Sequence, residues 1–367
     1  MRVAIDATPL LVRSAGVKNY LYYWIKHLRR LAGPDAIRTF PGFDASRPLN
    51  HNASTADPLR TFFGLGALAV SNYTPVPVLD WATRGCDVFH ATNLVRRPPR
   101  GMRLTSTIHD MTSWTMPELH SSATRRADAA AAEILRCADR LIAVSEATKE
   151  DAVKVLGIPA ERITVIHSGV PSAFFEVTQQ QAEAARAKYG LNLPFVFALG
   201  TIEPRKNLPR LLAAFAGLPE SLRQQCELVL AGPMGWADND TLADVRNAAR
   251  ARYLGYIPEA DLPGVTAAAT IFAYPSLYEG FGFPLAQAMA AGTPCVTSNL
   301  SSMPEIAGDA ALLVDPLNIS ELRNALERLI LTPSLREELS LKGRVQSGRF
   351  RWERTAVESL KFFEKLA

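Results

Sequence analysis

The sequence lacks several features that would assign it to whole classes of protein. Its four cysteines are scattered, with no spacing typical of a disulfide framework or a metal site, so we expect reduced thiols. The longest nearly uncharged apolar run, residues 62–70, is about half the length that a membrane-spanning helix needs. Asp6 interrupts the N-terminal segment where an export signal would need apolar residues. We therefore expect a cytoplasmic protein.

Dense basic tracts are also missing, which argues against a nucleic-acid partner. The net charge is +4, but residues 1–170 hold 21 Lys/Arg against 15 Asp/Glu, and the remainder holds 19 against 21. The first half is therefore basic and the second is slightly acidic. This asymmetry predicts that an anionic surface or substrate meets the first half.

Both halves of the 367 residues show one rhythm, in which a short β-branched run is followed by a helical pattern. Alternating strands and helices predict parallel sheets covered by helices, and the length suits about two domains. A single eightfold barrel is disfavoured because residues 41–80, rich in Pro, Asn and Ser, break the alternation. The predicted strands are 3–6, 87–90, 104–109, 140–144, 163–166, 195–199, 227–231, 252–255, 270–274, 293–297 and 311–314. The predicted helices are 17–31, 122–137, 146–156, 207–216, 240–249, 260–269, 284–291 and 320–331.

These patterns predict an α/β protein of two doubly wound domains. Residues 1–170 form the first domain, the Gln-rich stretch 171–193 is a linker, and residues 194–348 form the second domain. An amphipathic helix follows within residues 349–367. Ligands of open α/β sheets bind beyond the carboxyl ends of the strands, so we expect functional residues in the loops that follow strands.

The richest such loop follows the predicted strand 270–274. Glu279 precedes a glycine-rich turn, and Pro284 suits the first turn of the next helix. Backbone amides beside a helix N-terminus attract anions, and a carboxylate there can accept hydrogen bonds from hydroxyl groups. The pattern predicts a phosphosugar site; the alternative is an ordinary turn with a solvated Glu. The amides expected at the anion belong to Gly280, Phe281, Gly282 and Phe283.

A second loop, residues 200–207, follows the first strand of the second half. Its adjacent Arg205 and Lys206 can neutralise a diphosphate without a metal ion, since Arg supplies a planar fork and Lys a point charge. A merely solvated basic pair is disfavoured, because cations at a helix start oppose the helix dipole.

Together, Gly-Thr-x-Glu-Pro-Arg-Lys-Asn at 200–207 and Tyr-Glu-Gly-Phe-Gly-x-Pro at 278–284 resemble the retaining glycosyltransferases of family 4, which have the GT-B fold. Weaker similarities extend along nearly the whole chain, at residues 5–7, 16–20, 108–110, 143–145, 254–257 and 350–352. The resemblance implies two Rossmann-like domains that face each other across a cleft. It also implies that the C-terminal helix returns to the first domain.

The same resemblance implies a role for each matched residue. Arg205 and Lys206 would bind the diphosphate of a nucleotide-sugar donor, in the loop that Gly200 opens. Glu279 would hold the hydroxyls of the donor sugar, and His109 would lie near the transferred sugar. Further donor contacts are implied for Gly16 near the phosphates, for residues 280–283 at the sugar and phosphate, and for Gly255, Tyr256 and Ile257 along the nucleobase.

Two positions depart from the family pattern. Gln287 stands where the family usually has a second Glu for the ribose hydroxyls, so we expect weaker nucleotide binding with the chemistry retained. Lys18 stands where many relatives have a second glycine, and we expect it to add a cation near the cleft. The Asp-x-Asp string at 238–240 reads as a loop and helix cap. We therefore expect transfer without a metal ion or other cofactor.

The expected donor is GDP-mannose, favoured slightly over a UDP-hexose, and the expected acceptor is a glycan or a lipid-linked glycan. The basic first domain could touch the inner face of a membrane. Residues 20–30 form an amphipathic basic pattern, for which ordinary packing is favoured over lipid contact. Residues 62–70 fit core, acceptor loop or membrane contact.

Other functions remain open on the sequence. A Rossmann oxidoreductase is weakly supported by the Gly-x-Gly string at 64–69, which follows no clear strand. A noncatalytic sugar-nucleotide-binding protein would suit Gln287, and another GT-B enzyme, such as an epimerase or a phosphorylase, would share the motifs. His90 and His167 also end strands, and for both a structural role is favoured over a functional one.

Overall fold

The computed structural model describes residues 1–366, apart from residues 14–15, 52, 236–242 and 244–247. The chain divides into two compact units, Met1–Gly169 with Trp352–Ala367 and Val170–Arg351. Within the described ranges, each unit contains one six-stranded parallel sheet. Inner strands such as Val3–Asp6 and Ile271–Tyr274 are buried at every position, as expected for sheets covered on both faces.

The first unit contains the first six strands and most of the early helices. Its strands are β1 (Val3–Asp6), β2 (Ile37–Phe40), β3 (Val88–Ala91), β4 (Arg103–Ile108), β5 (Arg140–Ala143) and β6 (Ile163–Val165). Its helices are α1 (Gly16–Ala32), α2 (Pro58–Tyr73), α3 (Val78–Ala82), α4 (Thr112–Thr115), α5 (Ser122–Cys137), α6 (Glu146–Leu156) and α16 (Trp352–Glu364).

The second unit contains the other six strands. They are β7 (Phe195–Leu199), β8 (Glu227–Ala231), β9 (Ala251–Tyr253), β10 (Ile271–Tyr274), β11 (Cys295–Ser298) and β12 (Ala311–Val314). Its described helices are α7 (Ser172–Phe175), α8 (Gln179–Tyr189), α9 (Leu208–Ala216), α10 (Glu220–Gln225), α11 (Leu262–Ala268), α12 (Phe283–Ala291), α13 (Met303–Ala307), α14 (Ile319–Leu331) and α15 (Pro333–Ser347).

Each sheet reverses its strand order at one point. The first sheet runs β2-β1-β3-β4-β5-β6, and the second runs β12-β11-β10-β7-β8-β9. In the second sheet β7 pairs with β10 in parallel, with Val196 opposite Ile271 and Phe197 opposite Phe272. The chain between β7 and β10 forms β8 and β9, which lie on the other side of β7. The β7/β10 junction is therefore the topological switch point, where open α/β sheets bind their ligands.

The structure differs from the sequence prediction in three segments. The stretch 171–193 is no linker: α7 and α8 occupy it, and both belong to the second unit. Thr178 and Gln181 form a capping box that starts α8, and Gly190 ends that helix in the left-handed conformation. Residues 41–80 contain α2 and α3, and β2 was not predicted. The predicted helix 240–249 and the Asp-x-Asp string lie largely outside the described residues.

The C-terminal helix α16 packs within the first unit, which confirms its predicted return. Trp24 on α1 donates a hydrogen bond from Nε1 to Ser359 Oγ at 2.9 Å, and both side chains are buried. The ring of Phe363 lies 6.0 Å from Trp24 and 5.9 Å from His90. At the entry to α16, a Cβ on Gly169 would lie 2.5 Å from the indole of Trp352, so only glycine fits there.

Replacing Phe363 by alanine tests this packing. Phe363 is fully buried, so F363A should lower the free energy of unfolding by about 3–4 kcal/mol through lost transfer energy and the remaining cavity. Urea denaturation followed by tryptophan fluorescence reports mainly on the first unit, which holds four of the five tryptophans. V357A, at a half-exposed position of the same helix, should change stability by less than about 1 kcal/mol. Equal effects of both changes would contradict the packing described.

Candidate active site

The two motif loops of the second unit meet at its switch point. A short 3₁₀ helix, Pro204–Lys206, follows β7, and Glu279 follows β10. The Leu277 amide donates to the Arg205 carbonyl at 2.8 Å, which ties one loop to the other. Asn207, in the left-handed conformation, donates from its side chain to the carbonyls of Pro275 and Pro316 at 3.1 and 2.7 Å. These hydrogen bonds together fix the distance between the two loops.

A buried ion cluster of Arg205, Lys206 and Glu279 results. Arg205 donates to Glu279 Oε2 at 2.7 Å, and Lys206 donates to Glu279 Oε1 at 2.6 Å. The two cations thus hold one carboxylate oxygen each. The side chain of Glu279 is 8% exposed, that of Lys206 9% and that of Arg205 18%, so the guanidinium is the most accessible member. The structure brings together three residues that the sequence assigned to the donor.

Two further side chains complete the cluster, and sequence reasoning missed both. Glu203 Oε1 lies 2.5 Å from Arg205 Nε and 4.0 Å from Lys206 Nζ. The Tyr274 hydroxyl accepts from Lys206 at 2.7 Å and donates to Glu279 Oε1 at 2.8 Å. Glu203 stands inside the 200–207 motif, and Tyr274 is the last residue of β10, before the second motif. The only sequence signal for Glu203 was its position in the same short loop as Arg205 and Lys206.

The electrostatics of the cluster favour its charged form. Burial raises the pKa of Glu279, but Arg205 and Lys206 outweigh burial and lower that pKa to about 2. Burial and the neighbouring Arg205 lower the pKa of Lys206, while Glu279 and Glu203 oppose that change. Burial and the Glu279 charge raise the pKa of Tyr274 well above its usual value, so the phenol stays protonated. The cluster carries two cations and two carboxylates, which cancel.

The glycine-rich turn at 280–283 leads directly into α12. Gly282 is the N-cap of that helix with φ +91°, a backbone conformation that favours glycine, and a Cβ there would also crowd the end of the Met303 side chain. The ring of Phe281 packs 5.3 Å from Phe283 and 5.4 Å from Phe350. The positive end of the α12 dipole therefore lies next to Glu279 in the chain, as the anion-site prediction requires.

Other predicted donor residues surround the same strand ends. Gly200 directly follows β7 and begins the loop that carries Arg205. A Cβ on Gly200 would lie 3.2 Å from Lys206 Cε. Gln287 is buried within α12, eight positions after Glu279. Tyr256 and Ile257 follow β9, which is joined to this region by the hydrogen bond from the Gly232 amide to the Gly255 carbonyl at 2.8 Å. Their roles toward ribose and base stay predictions.

His109 and Gly16 belong to the first unit. His109 follows β4, its ring lies edge-on to Tyr20 at 4.8 Å, and burial lowers its pKa to about 4. The imidazole is therefore neutral near pH 7. It lines a pocket with the carboxyl ends of β3 and β4 and with Trp114 and Asp128. Gly16 begins α1, and a Cβ there would meet no atom within 4 Å.

Lys18 does not supply the free cation that the sequence suggested. Its side chain is buried, and Nζ donates to the carbonyls of Val12 and Ala53 at 2.8 and 2.6 Å. Burial lowers the pKa of this amine to about 8. Lys18 therefore ties two loops of the first unit together.

His90 is a structural core residue. Its two ring nitrogens lie 3.0 Å from the hydroxyls of Thr105 and Thr107, and burial lowers its pKa to about 3. The pairing across adjacent strands satisfies both nitrogens of the neutral ring. The structural role favoured from the sequence agrees with these contacts.

Comparisons with known proteins identify the family. Residues 181–346 match the model of glycosyl transferases group 1, and residues 14–174 match that of glycosyltransferase family 4. The chain is 33% identical to the O-antigen chain mannosyltransferase B of Escherichia coli, across 100% of both proteins. The chain belongs to glycosyltransferase family 4. The serotype-specific mannosyltransferase WbdA of Escherichia coli is 29% identical over 62% of this chain and 29% of that protein.

Solved structures agree on the fold. The chain superposes with a TM-score of 0.74 on HepE from Anabaena in complex with UDP and glucose, at 19% identity over 100% of both chains. Sucrose-phosphate synthase from Thermosynechococcus elongatus gives a TM-score of 0.73 at 21% identity, over 100% of this chain and 99% of that one. The predicted GT-B fold and the predicted hexosyltransferase activity are confirmed. Among the helices of the described ranges, none is long and apolar enough to cross a bilayer.

The Glu279 carboxylate should make stability depend on pH in a specific direction. Its folded pKa, about 2, lies below its ordinary 4.5, so it stabilises the fold above pH 4.5 and loses this effect as the pH falls toward 2. E279Q removes the carboxylate charge that pairs with two buried cations. It should lower the free energy of unfolding by about 3 kcal/mol at pH 7. The difference in unfolding free energy between E279Q and the native protein, measured by urea titration, should shrink below pH 4.5.

The exposed Glu337 supplies the matched control on α15. E337Q should leave the stability at pH 7 and its acid dependence within about 0.5 kcal/mol of the native protein. A difference between E279Q and the native protein that stays constant from pH 7 to pH 3 would contradict the ionised cluster.

Proposed function

We propose that this glycosyltransferase moves mannose from GDP-mannose to a glycan or lipid-linked glycan, with retention of anomeric configuration and without a metal ion. The observation that carries the proposal is the buried cluster of Arg205, Lys206 and Glu279 at the switch point, beside the N-terminus of α12. This is where a doubly wound domain binds a nucleotide, and the cluster offers both cations for phosphate and a carboxylate for hydroxyls.

The proposed chemistry follows from the charge that develops when the donor breaks. Cleavage of the bond between the anomeric carbon and the diphosphate leaves negative charge on phosphate oxygen and positive charge on the sugar. Fixed cations and a helix N-terminus favour that state over the ground state. The acceptor oxygen then bonds to the anomeric carbon from the same face, and its proton passes to the leaving phosphate oxygen.

The neutral cluster also suggests how binding is coupled to sugar recognition. Before the donor binds, Arg205 and Lys206 are occupied by Glu279 and Glu203. A diphosphate competes for the same donors, and each bond that it takes frees a lone pair on Glu279. Hydroxyls of the donor sugar can then donate to that oxygen. The same carboxylate thus keeps the cations ordered without donor and accepts sugar hydroxyls with it.

His109 takes a hydrogen-bonding role in this proposal. Because burial lowers the pKa of His109 to about 4, the ring is neutral near pH 7 and can share a hydrogen bond with a sugar hydroxyl. A charged imidazolium is not needed, since the leaving phosphate receives the acceptor proton. The pocket with Trp114 and Asp128 that His109 lines is our candidate for the acceptor.

The choice of mannose rests on the relatives. Three curated relatives carry mannosyl transfer in their names: the two Escherichia coli proteins above and an MMP alpha-(1->4)-mannosyltransferase of Mycolicibacterium hassiacum, 26% identical over 63% of this chain. The structural neighbour HepE holds UDP and glucose instead. A UDP-hexose is therefore the second donor to test.

The proposal is tested by measuring sugar transfer directly. GDP-mannose and UDP-glucose are each offered with a mannose-containing oligosaccharide, with and without excess chelator, and products are separated by mass. We expect a mannosylated product from GDP-mannose that is undiminished by chelator, with the new bond in the configuration of the donor. Loss of transfer with chelator, or an inverted bond, would refute the mechanism. A glucosylated product from UDP-glucose and none from GDP-mannose would overturn the choice of donor.

Substitutions in the cluster should separate diphosphate binding from general surface charge. R205Q and K206Q should each weaken GDP binding by about tenfold or more, because each removes a charge-assisted hydrogen bond to phosphate. R328Q removes an exposed arginine of α14 in the same unit and should leave GDP binding unchanged within about twofold. Isothermal titration gives the affinities, and equal losses in all three variants would contradict the assignment.

A further inference from the structure

Helix α2 in the first unit turns its apolar side outward. Leu59, Phe62, Phe63 and Tyr73 are 70%, 72%, 67% and 78% exposed, and Val70 is 40% exposed. At 100° per residue these positions fall within one arc of about 100°, which makes a continuous stripe. Trp81 on the following helix α3 is 66% exposed as well. We call these six side chains the α2–α3 patch.

The inward side of α2 carries small or polar residues and one leucine. Gly64, Leu68, Ser71 and Asn72 are its buried positions. A Cβ on Gly64 would lie 2.8 Å from a Leu11 methyl carbon, so glycine lets the helix sit close to the unit. Asn72 accepts from the Arg96 amide at 2.8 Å and donates to the Leu94 carbonyl at 2.9 Å. Both contacts lock the rotation of the helix and keep the aromatic stripe in solvent.

Arginines surround the α2–α3 patch. Residues 57–103 contain six arginines, no lysine or glutamate and three aspartates, a surplus of three positive charges. Arg60 and Arg103 form ion pairs with Asp57 and Asp139, whereas Arg84, Arg97 and Arg100 are exposed. Arg97 donates to the Thr74 carbonyl at the end of α2 at 2.9 Å, and the Arg100 amide donates to Asp80 on α3 at 3.0 Å. Arg84 lies two positions after the end of α3 and is exposed. Positive charge is therefore held at the edges of an exposed aromatic surface.

We propose that the α2–α3 patch is a membrane-docking surface that inserts its aromatic side chains into an anionic lipid bilayer. Exposed aromatic and aliphatic side chains flanked by arginine are what a bilayer interface with anionic headgroups binds. A second copy of this chain fits less well, because a twofold contact through this face would bring the two sets of arginines together.

This surface differs from the one that the sequence suggested in α1. The apolar side of α1, including Leu21, Trp24, Ile25 and Leu28, is buried within the first unit. Ordinary packing, the favoured reading of residues 20–30, is therefore confirmed. Residues 62–70 form no loop: they belong to the regular helix α2, in which Leu68 packs into the core while Phe62, Phe63 and Val70 form part of the exposed stripe.

Vesicle flotation with the full chain tests the proposal. The native protein should float with vesicles of phosphatidylcholine and phosphatidylglycerol, and bind pure phosphatidylcholine vesicles at least about tenfold more weakly. F62S/F63S should lower binding to the anionic vesicles by about tenfold or more, since both side chains lose their burial in lipid. R84Q/R100Q should lower it about fivefold or more, with a weaker salt dependence than the native protein.

A matched control lies in the second unit. L341S/V345S removes two apolar side chains of α15 that are 61% and 79% exposed, and it should bind anionic vesicles like the native protein. Thermal melting and GDP affinity of F62S/F63S should also stay native, because both side chains are about 70% exposed and belong to the first unit, whereas the Arg205 cluster belongs to the second. These two readouts separate a failure of docking from a failure to fold or to bind nucleotide.

Two results would overturn the proposal. In one, F62S/F63S binds anionic vesicles as tightly as L341S/V345S. In the other, the native protein ignores vesicles and elutes as a dimer on size-exclusion chromatography, while F62S/F63S elutes as a monomer. The second result would assign the α2–α3 patch to contact between copies of the chain.

Discussion

A single carboxylate held between two cations organises the switch point of the second unit. Glu279 accepts from Arg205 and Lys206 through different oxygens, so its removal would leave two buried positive charges underpaired. The strands that carry these residues are far apart in sequence but adjacent in the sheet. The ion cluster therefore depends on the switch-point topology, and the two loops depend on the cluster to keep their positions. The strand order thus determines where the charged side chains lie.

Such a cluster resolves a conflict that faces any binding site for a diphosphate. Two uncompensated cations would repel each other and destabilise the empty domain, whereas permanently paired cations would bind phosphate poorly. Glu203 and Glu279 neutralise the pair, and Tyr274 bridges the lysine and the second carboxylate. The neutral assembly is preorganised, and only an anion of the right geometry can replace its internal partners. In the proposed function, selectivity for the donor would then arise from competition as well as from contact.

The sequence was informative where chemistry and strand pattern coincide. Arg205, Lys206 and Glu279 were predictable because each follows a recognisable buried strand and stands in a motif with turn residues. Glu203 was not singled out, because a glutamate beside an arginine and a lysine reads equally well as a surface charge. Its burial is a property of the folded loop.

Elsewhere, local pattern gave the wrong interpretation or none. The polar, Gln-rich stretch 171–193 has no strand pattern, so it was predicted as a linker and α8 was missed. In the structure α8 packs against α11, where a Cβ on Gly264 would lie 2.8 Å from a backbone oxygen of α8. For α1 and α2, periodicity identified amphipathic or apolar segments but could not say which side faces the protein. In α2 the glycine and the buried asparagine decide this, and both act through tertiary contacts.

The first unit is discontinuous, since α16 completes it after the chain has passed through all of the second unit. During synthesis, residues 352–364 leave the ribosome only after every strand of the second sheet. The second unit can therefore finish folding while the first still exposes the α1 surface around Trp24. The nascent protein carries an open apolar face for as long as about 180 residues take to translate, at about 5–20 residues per second. A chaperone that binds apolar surface would meet its target in this interval, and a nonsense mutation before Trp352 would leave that face permanently uncovered.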